Sequence, residues 1–335
     1  MNTNEKYIKR CIEIAKNGLS VAMPNPSVGA VIVHNNIIIG EGFTSEYGGN
    51  HAEVNAIHAV KDKSLLSKST IYVSLEPCSH FGKTPPCCNL IMDSKIPNVV
   101  IGTLDSNKKV AGTGIKILKN AGIHVIVGIL ETECRNSNIR FFTFHEKKRP
   151  YIILKWAESQ NGYIAPIYKK EKKPVWITNE FSRQLVHKWR SQEQAILVGT
   201  KTVIDDNPKL DVRDWIGKNP IRVILDQNNR IPKDSDIFDN QSETIVISKN
   251  EIDFSENIVN QICDVLFKKN IQSVIVEGGS RTLQTFIDSN IWDEARVFGG
   301  TVFFETGIKS PVLNRKYESK TKIMDDELLI YKNHD

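Results

Sequence analysis

His51, Glu53, Cys78 and Cys87 are the residues whose types and spacing could run hydrolytic chemistry on a metal. His51-Ala52-Glu53 opens a stretch of helical pattern, Glu76-Pro77-Cys78 follows an apolar strand-like run, and Thr84-Pro85-Pro86-Cys87 leads into a second helical stretch. One His and two Cys are three ligands, which leaves the fourth position of a tetrahedral zinc site open for water. Both cysteines follow a proline at an expected helix start. Unpaired N–H groups and the helix dipole there stabilise an anion, so both thiols are expected to have a lowered pKa. Two thiolates balance the metal's charge. Glu53 is then the group to take a proton from the water and deliver it to a leaving amine. Residues two apart in a helix point away from each other, so His51 must sit at the cap for both side chains to meet one metal.

A His-x-Glu followed by a Pro-Cys…Cys pair is the signature of zinc deaminases that attack an amino-substituted pyrimidine carbon. Each piece alone is more often structural; their joint order, each at a helix start after a strand, favours the catalytic reading. Cys88 is the rival ligand, but it lacks the Pro-Cys context and is read as a packed neighbour. His34, His58 and His124 are read as ordinary residues. Eight residues separate the two cysteines, where the common deaminase spacing has two. The insert Ser79–Pro86 brings His80 and Lys83 beside the metal, which suits an anionic or polar substrate.

Pro24-Asn25-Pro26-Ser27-Val28-Gly29, His51-Ala52-Glu53-Val54-Asn55-Ala56, the run from Glu76 through Cys87, and Asp105-Ser106-Asn107 followed by Val110-Ala111-Gly112-x-Gly114 resemble the deaminase domain of the RibD family of bifunctional riboflavin biosynthesis proteins. By that resemblance the substrate is a diaminopyrimidinone ribosylamine 5′-phosphate, deaminated to the matching uracil. Asn25, His80, Lys83, Asp105 and Asn107 match positions the family uses for substrate contacts; Asn25 and Asn107 could equally serve as turn residues.

In the second half no Gly-x-Gly-x-x-Gly follows an expected strand, so a Rossmann fingerprint is absent. Val274-Ile275-Val276-Glu277-Gly278-Gly279-Ser280 is an apolar strand ending in paired glycines before a helix. Bare N–H groups there can cradle a phosphate, although such glycines often serve conformation alone. Arg149-Pro150-Tyr151…Lys155-Trp156-Ala157, Trp176-Ile177-Thr178, Ala195–Gly199 with Thr202-Val203, Asp206-Asn207-Pro208-x-Leu210-x-Val212-Arg213 and Pro220-Ile221-Arg222-Val223 resemble the reductase domain of the same family. The resemblance implies a dihydrofolate-reductase-like fold, NADPH as cofactor, and hydride transfer to the ribose C1′ that opens the sugar to a ribityl chain. Lys155, Thr178, Asn207, Leu210, Arg213 and Glu277 match substrate positions, and Arg190 is a candidate for the phosphate, which its fork can grip. Thr200, Thr202, Gly278 and Gly279 are cofactor candidates; Trp176 is expected to pack. Ser159-Gln160-Asn161-Gly162-Tyr163 stands where the family often reads Ser-x-Asp-Gly-Arg, and Asn207 where Asp is frequent. Activity is expected to survive both, because the cofactor carries the hydride and the protein positions it.

The elements that must hold these groups alternate between helix and strand. In residues 1–148 a helix carrying Ile8, Ile12 and Ala15 stops at Gly18, and strands at 28–33 and 37–39 join across His34-Asn35-Asn36. Helices are expected at 52–60, 87–93 and 115–120, with strands at 70–75, 99–102 and 123–127. That predicts a cytidine-deaminase-like α/β/α layer domain over 1–148. A charged linker, His145–Pro150, precedes a second α/β domain over 149–335. Strands are expected there at 151–156, 175–178, 195–198, 221–225, 244–247 and 273–276, and helices at 181–190, 258–269 and 282–288.

Composition narrows the class further. A chain of 335 residues is long for one core, and 40% hydrophobic with 25% charged residues is ordinary for a soluble protein. Six cysteines in such a chain do not suggest a disulfide framework. The net charge of +5 resides in residues 1–148, the remainder being balanced. No basic run interleaves with aromatics, so a nucleic-acid partner is not expected. No apolar run could span a bilayer, and Met1–Arg10 lacks a signal-peptide stretch; a cytoplasmic enzyme without membrane contact is expected. The resemblance suggests a homo-oligomer, dimer or tetramer. Two other readings stand beside the bifunctional enzyme: a deaminase whose second domain only binds ligand or a partner, and a tRNA-type base editor, which the long Cys–Cys insert disfavours.

Overall fold

Apolar residues collect in two units, Met1–Lys147 and Lys148–Asp335, each with cores of its own. The structure, a computed structural model, describes residues 2–106, 112–169 and 171–334.

In the first unit the strands are β1 (Gly29–His34), β2 (Ile37–Phe43), β3 (Thr70–Leu75), β4 (Asn98–Thr103) and β5 (His124–Val127). They form one sheet in the order β2-β1-β3-β4-β5. β1 runs antiparallel to both neighbours, and β3, β4 and β5 are parallel. The β1–β2 turn places Asn35 and Asn36 at positive φ, the conformation that a two-residue hairpin turn demands and Asn tolerates. The helices are α1 (Thr3–Ala15), α2 (Ala52–Ala59), α3 (Cys87–Asp93), α4 (Thr113–Asn120), α5 (Glu131–Ser137) and α6 (Ile139–Lys147). Side chains alternate across the sheet. Val31, Val33, Tyr72 and Val100 pack with Tyr7, Ile8, Cys11 and Ile14 of α1 and Cys134 of α5. Ala30, Ile32, Val73 and Ile101 pack with residues of α2, α3 and α4. The result is an α/β/α sandwich.

The second unit contains β6 (Tyr151–Glu158), β7 (Tyr163–Pro166), β8 (Ala195–Gly199), β9 (Ile221–Leu225), β10 (Thr244–Ile247), β11 (Ser273–Val276), β12 (Glu294–Gly299), β13 (Gly307–Lys309), β14 (Ser319–Ile323) and β15 (Asp326–Lys332). Eight of them form a sheet in the order β10-β9-β8-β11-β6-β12-β15-β14, parallel from β10 to β12 and antiparallel through β15 and β14. β7 and β13 make a separate ribbon. Helices α7 (Glu180–Gln192), α8 (Thr200–Asp206), α9 (Ile258–Lys268) and α10 (Ser280–Asp288) flank the sheet connections. β11 is buried at every position, as its apolar run Val274–Val276 requires of a strand inside a parallel sheet, and Ser273 accepts from the Gln194 N–H.

The structure corrects three expectations. Residues 175–178 are not a strand: Ile177 is buried while Val175 and Trp176 are exposed, and the segment leads irregularly into the Asn179 cap of α7. Both edges of β6 are already paired, by β11 and β12, so no adjacent lane is open to it. The charged stretch 145–150 is not a free linker, because α6 extends through Lys147 and Arg149 donates to both Asp293 oxygens at 2.6 and 2.8 Å. Finally, α5, α6, α8, β7 and β12 to β15 were not anticipated.

Close approach of α1 to the sheet depends on a missing side chain. A Cβ on Gly29 would lie 2.0 Å from the Cys11 carbonyl oxygen, which is helix backbone and cannot swing aside. Gly29→Ala should therefore destabilise the first unit by roughly 1–3 kcal/mol, the usual cost of overpacking. Thermal unfolding measures this directly, and an unchanged midpoint would show that α1 can slide at little cost.

Candidate active sites

His51 is the N-cap of α2, in extended backbone conformation, and Glu53 lies in the first turn of that helix. The cap position is what lets the two side chains converge despite their spacing. Cys87 is the first residue of α3, and Cys78 lies just beyond β3. The ligand atoms of His51, Cys78 and Cys87 all lie within 4.8 Å of one another. His51 Nδ1 is 3.5 Å from Cys78 Sγ and 3.4 Å from Cys87 Sγ. Zinc bonds of about 2.3 Å to sulfur and 2.0–2.1 Å to nitrogen, at a tetrahedral angle, call for an S···N separation of about 3.5 Å. The donor set fits zinc, with Nδ1 as the imidazole ligand.

The Cys87 backbone N–H, at the start of α3, donates to Cys78 Sγ at 3.2 Å. Hydrogen bonding from Cys87, then the His51 imidazole, bring the Cys78 thiol down to about 4, against the opposing effect of burial. Cys87 goes the other way: its thiol donates to Cys78, and burial adds to the upward shift. The hydrogen bond between the two thiols thus moves them in opposite directions, and only Cys78 is lowered as the sequence led one to expect for both. A divalent ion held by both sulfurs would require both as thiolates, so its binding would be coupled to proton release. Glu53 is only 3% exposed, and burial, reinforced by the charge on Cys78, pushes its carboxyl up to about 7. A carboxyl in that range can both accept and release a proton near neutrality. Cys88 points away, donating to the Pro77 carbonyl at 3.4 Å, as a packed neighbour should.

A cavity of about 480 Å³ opens on this centre and brings together His51, Glu53 and Cys78 with Asn25, His80, Lys83 and Asp105. Lys83 Nζ lies 4.0 Å from the Tyr47 ring centroid, so an aromatic face holds the cation at the rim. Asn107 lies outside the described residues. Sequence reading missed Thr44, Tyr47, Phe141 and His145, which also line this cavity. Phe141 and His145 come from α6, whose pattern was hidden by the charges around it.

The second unit has a cavity of about 990 Å³, lined by Lys155, Thr178, Arg190, Arg213, Glu277, Thr200, Thr202 and Gly279 among others. Its floor is a buried ion cluster. Arg190 donates to both Glu277 oxygens at 2.9 and 2.8 Å, and Lys155 Nζ is 3.7 Å from the same carboxylate. Arg190 also donates to the Asp211 carbonyl, so its fork is occupied within the protein. Arg213, paired with Asp211 at 2.7 Å, is more exposed and freer to meet an anion. Thr200 donates to the Leu225 carbonyl, and Gly279 caps α10 with φ of +46°.

Three candidates are not on the cavity wall. Asn207 ends α8 in the left-handed region and accepts from the Asp236 N–H. Leu210 is buried. Gly278 packs on β8, where a Cβ would meet Val198 Cα at 2.4 Å. Trp176, expected to pack, is 51% exposed and lines the cavity, with the Arg183 guanidinium 4.6 Å from its ring centroid. The motif Trp-Ile-Thr was visible; its side-chain direction was not.

Burial works to raise the Glu277 carboxyl, but the charges of Arg190 and Lys155 outweigh it and hold the group at about 2. A depressed carboxyl stabilises the fold above its ordinary value of 4.5, and that contribution is lost as pH falls toward 2. Glu277→Gln leaves two buried cations facing each other. It should cost about 3 kcal/mol or more at pH 7 and flatten the loss of stability between pH 4.5 and 2. Thermal melts across that range test both; an unchanged melt at pH 7 would rule out a structural role for the cluster.

Both halves of the chain are matched by known proteins. The family model of the cytidine and deoxycytidylate deaminase zinc-binding region matches residues 1–103, and that of the RibD C-terminal domain matches residues 150–310. The chain is 37% identical to the riboflavin biosynthesis protein RibD of Aquifex aeolicus, over 98% of each chain. It is 40% identical to RibD of Chlamydia pneumoniae over 83% of this chain and 79% of that protein. Among solved structures it matches the diaminohydroxyphosphoribosylaminopyrimidine deaminase/5-amino-6-(5-phosphoribosylamino)uracil reductase of Thermotoga maritima, with 37% identity, a TM-score of 0.89 and 99% coverage of both chains. The matched regions and the His/Cys/Cys group fit Zn²⁺ and NADPH. With both halves matched in order and over nearly its whole length, the chain belongs to the RibD family of bifunctional deaminase/reductases of riboflavin biosynthesis.

Proposed function

We propose that residues 1–148 deaminate 2,5-diamino-6-ribosylamino-4(3H)-pyrimidinone 5′-phosphate and that residues 149–335 reduce the ribosyl product to 5-amino-6-(5-phosphoribitylamino)uracil. The observation that carries the reading is the convergence of His51, Glu53 and Cys78 on the cavity that also holds Asn25, His80, Lys83 and Asp105. Its size suits one nucleotide-like molecule. The chain is read as acting on a free phosphorylated pyrimidine in the cytoplasm, apart from nucleic acid and membrane, and as self-associating. No helix among the described residues is long and apolar enough to cross a membrane.

Zinc held by His51, Cys78 and Cys87 would supply Lewis acidity and activate water at neutral pH. Glu53 Oε takes the proton from the attacking water and returns it to the departing amine, a shuttle suited to a carboxyl near 7. Asp105 and Asn25 orient the polar edge of the pyrimidine, and Lys83 with His80 meets the anionic end. In the second cavity NADPH would supply the hydride. Arg213 takes the substrate phosphate in preference to Arg190, whose donors serve Glu277 and Asp211. Glu277, kept ionised by Arg190 and Lys155, offers an acceptor to the sugar hydroxyls. Thr202 and Gly279 are placed on the cofactor.

Product mass after incubation with the diaminopyrimidinone ribosylamine phosphate tests the whole scheme. Deamination without NADPH, then a gain of two hydrogens with it, is expected. Deamination alone would reduce the second unit to a binding module. Glu53→Gln should retain zinc and lose roughly 10²–10⁴-fold in deamination rate, whereas Cys78→Ser should lose zinc and turnover together. Full activity in the Glu53 variant would remove that residue from the mechanism. Arg213→Ala should raise KM for the reduction about tenfold or more, read by NADPH oxidation; an unchanged KM would free the phosphate from this assignment.

A further inference from the structure

We propose that Glu76 is a positioning residue that locks the Asp105 backbone and the start of α4 onto the turn carrying the metal ligand Cys78. The inference rests on the deaminase reading of the first unit. Glu76 is buried between Leu75, the end of β3, and Pro77-Cys78. Its carboxylate binds backbone on both sides. Oε2 accepts from the N–H groups of Asp105 at 3.3 Å and Gly112 at 2.9 Å, and Oε1 from those of Gly114 at 3.1 Å and Ile115 at 3.4 Å. Its own N–H donates to the Thr103 carbonyl at the end of β4.

A carboxylate has about four acceptor positions, and four N–H groups fill them here. Although Glu76 touches the cavity wall, it therefore has nothing left to offer a substrate. Three of the donors surround the first turn of α4, where N–H groups lack helical partners and the dipole favours an anion. The side chain thus acts as an internal anion that fixes a helix start and, through Asp105, one wall of the site.

Gly114 makes the fit possible from the other side. A Cβ there would lie 2.4 Å from the Pro77 carbonyl oxygen and 3.3 Å from Glu76 Oε1. Only a glycine lets α4 come down on the turn. The same turn is held from α3 by the Cys88 N–H on the Cys78 carbonyl at 3.2 Å. One carboxylate therefore sets the distance between the metal ligand and the Asp105 side of the cavity.

The test uses the full-length, zinc-loaded protein and the diaminopyrimidinone ribosylamine phosphate. In Glu76→Gln the amide nitrogen must face two of the four N–H donors, so one side of the clamp opens. Gly114→Ala displaces α4 without changing any charge. Both variants should keep zinc by metal analysis, raise KM for deamination roughly tenfold or more, and lower kcat much less; Glu76→Asp should recover part of the KM. An unchanged KM in both variants, or loss of zinc with normal KM, would overturn the proposal, since a merely structural carboxylate lowers the folded fraction without moving KM. If Glu76→Gln fails to fold, Gly114→Ala decides alone. Wild-type protein that does not deaminate would instead remove the functional reading on which the proposal stands.

Discussion

Everything in the first unit depends on three donor atoms being held within 4.8 Å of one another beside a buried carboxyl. Helices are well suited to this because their first residues carry unpaired N–H groups and face one direction. His51 caps α2, Cys87 begins α3, and the N–H of Cys87 steadies the sulfur of Cys78. The glycines and small residues of the strands serve this convergence: Gly42 has no room for a Cβ against Ala56 N, so α2 lies close on β2. Glu53 then arrives buried beside the donors as a consequence of helix geometry, and burial raises the proton affinity of its carboxyl.

The second unit solves a different problem. Its cavity has the Glu277 carboxylate on its floor, and a buried carboxylate is costly unless cations neutralise it. Arg190 from α7 and Lys155 from β6 do so, and Asp211 engages the remaining side of Arg190. Charge on the floor is therefore locked, while charge at the rim, Arg213 and Arg183, stays available.

Much of this was legible in the sequence. The strands 70–75, 221–225, 244–247 and 273–276 and the helix 87–93 coincide with their apolar patterns; 70–75, 221–225 and 273–276 are almost wholly buried, while 244–247, at the sheet edge, is half-buried. The His-x-Glu and Pro-Cys pieces pointed to one centre, and the argument that His51 must cap its helix is what the backbone does. What was not legible depends on direction and partnership. Trp176 and Val175 look like strand residues, yet they face the cavity and solvent. Asn207 and Leu210 sit in the expected motif but off the cavity wall: Asn207 ends α8 in the left-handed region with its side chain on the Asp236 N–H, and Leu210 is buried. α6 carries Phe141 and His145 into the first site, but only its end, from His145 on, entered the sequence reading, as part of a charged connector.

Arg149 has a consequence for anyone who wishes to separate the halves. Its guanidinium grips Asp293, and Asp293 in turn accepts from the Ile152 N–H at the start of β6. The second half therefore begins structurally at this half-buried arginine, upstream of its first strand. A scission at Tyr151 would strip Asp293 of its counter-charge, whereas one between Lys147 and Lys148 would leave each fragment with the residues that close its own core.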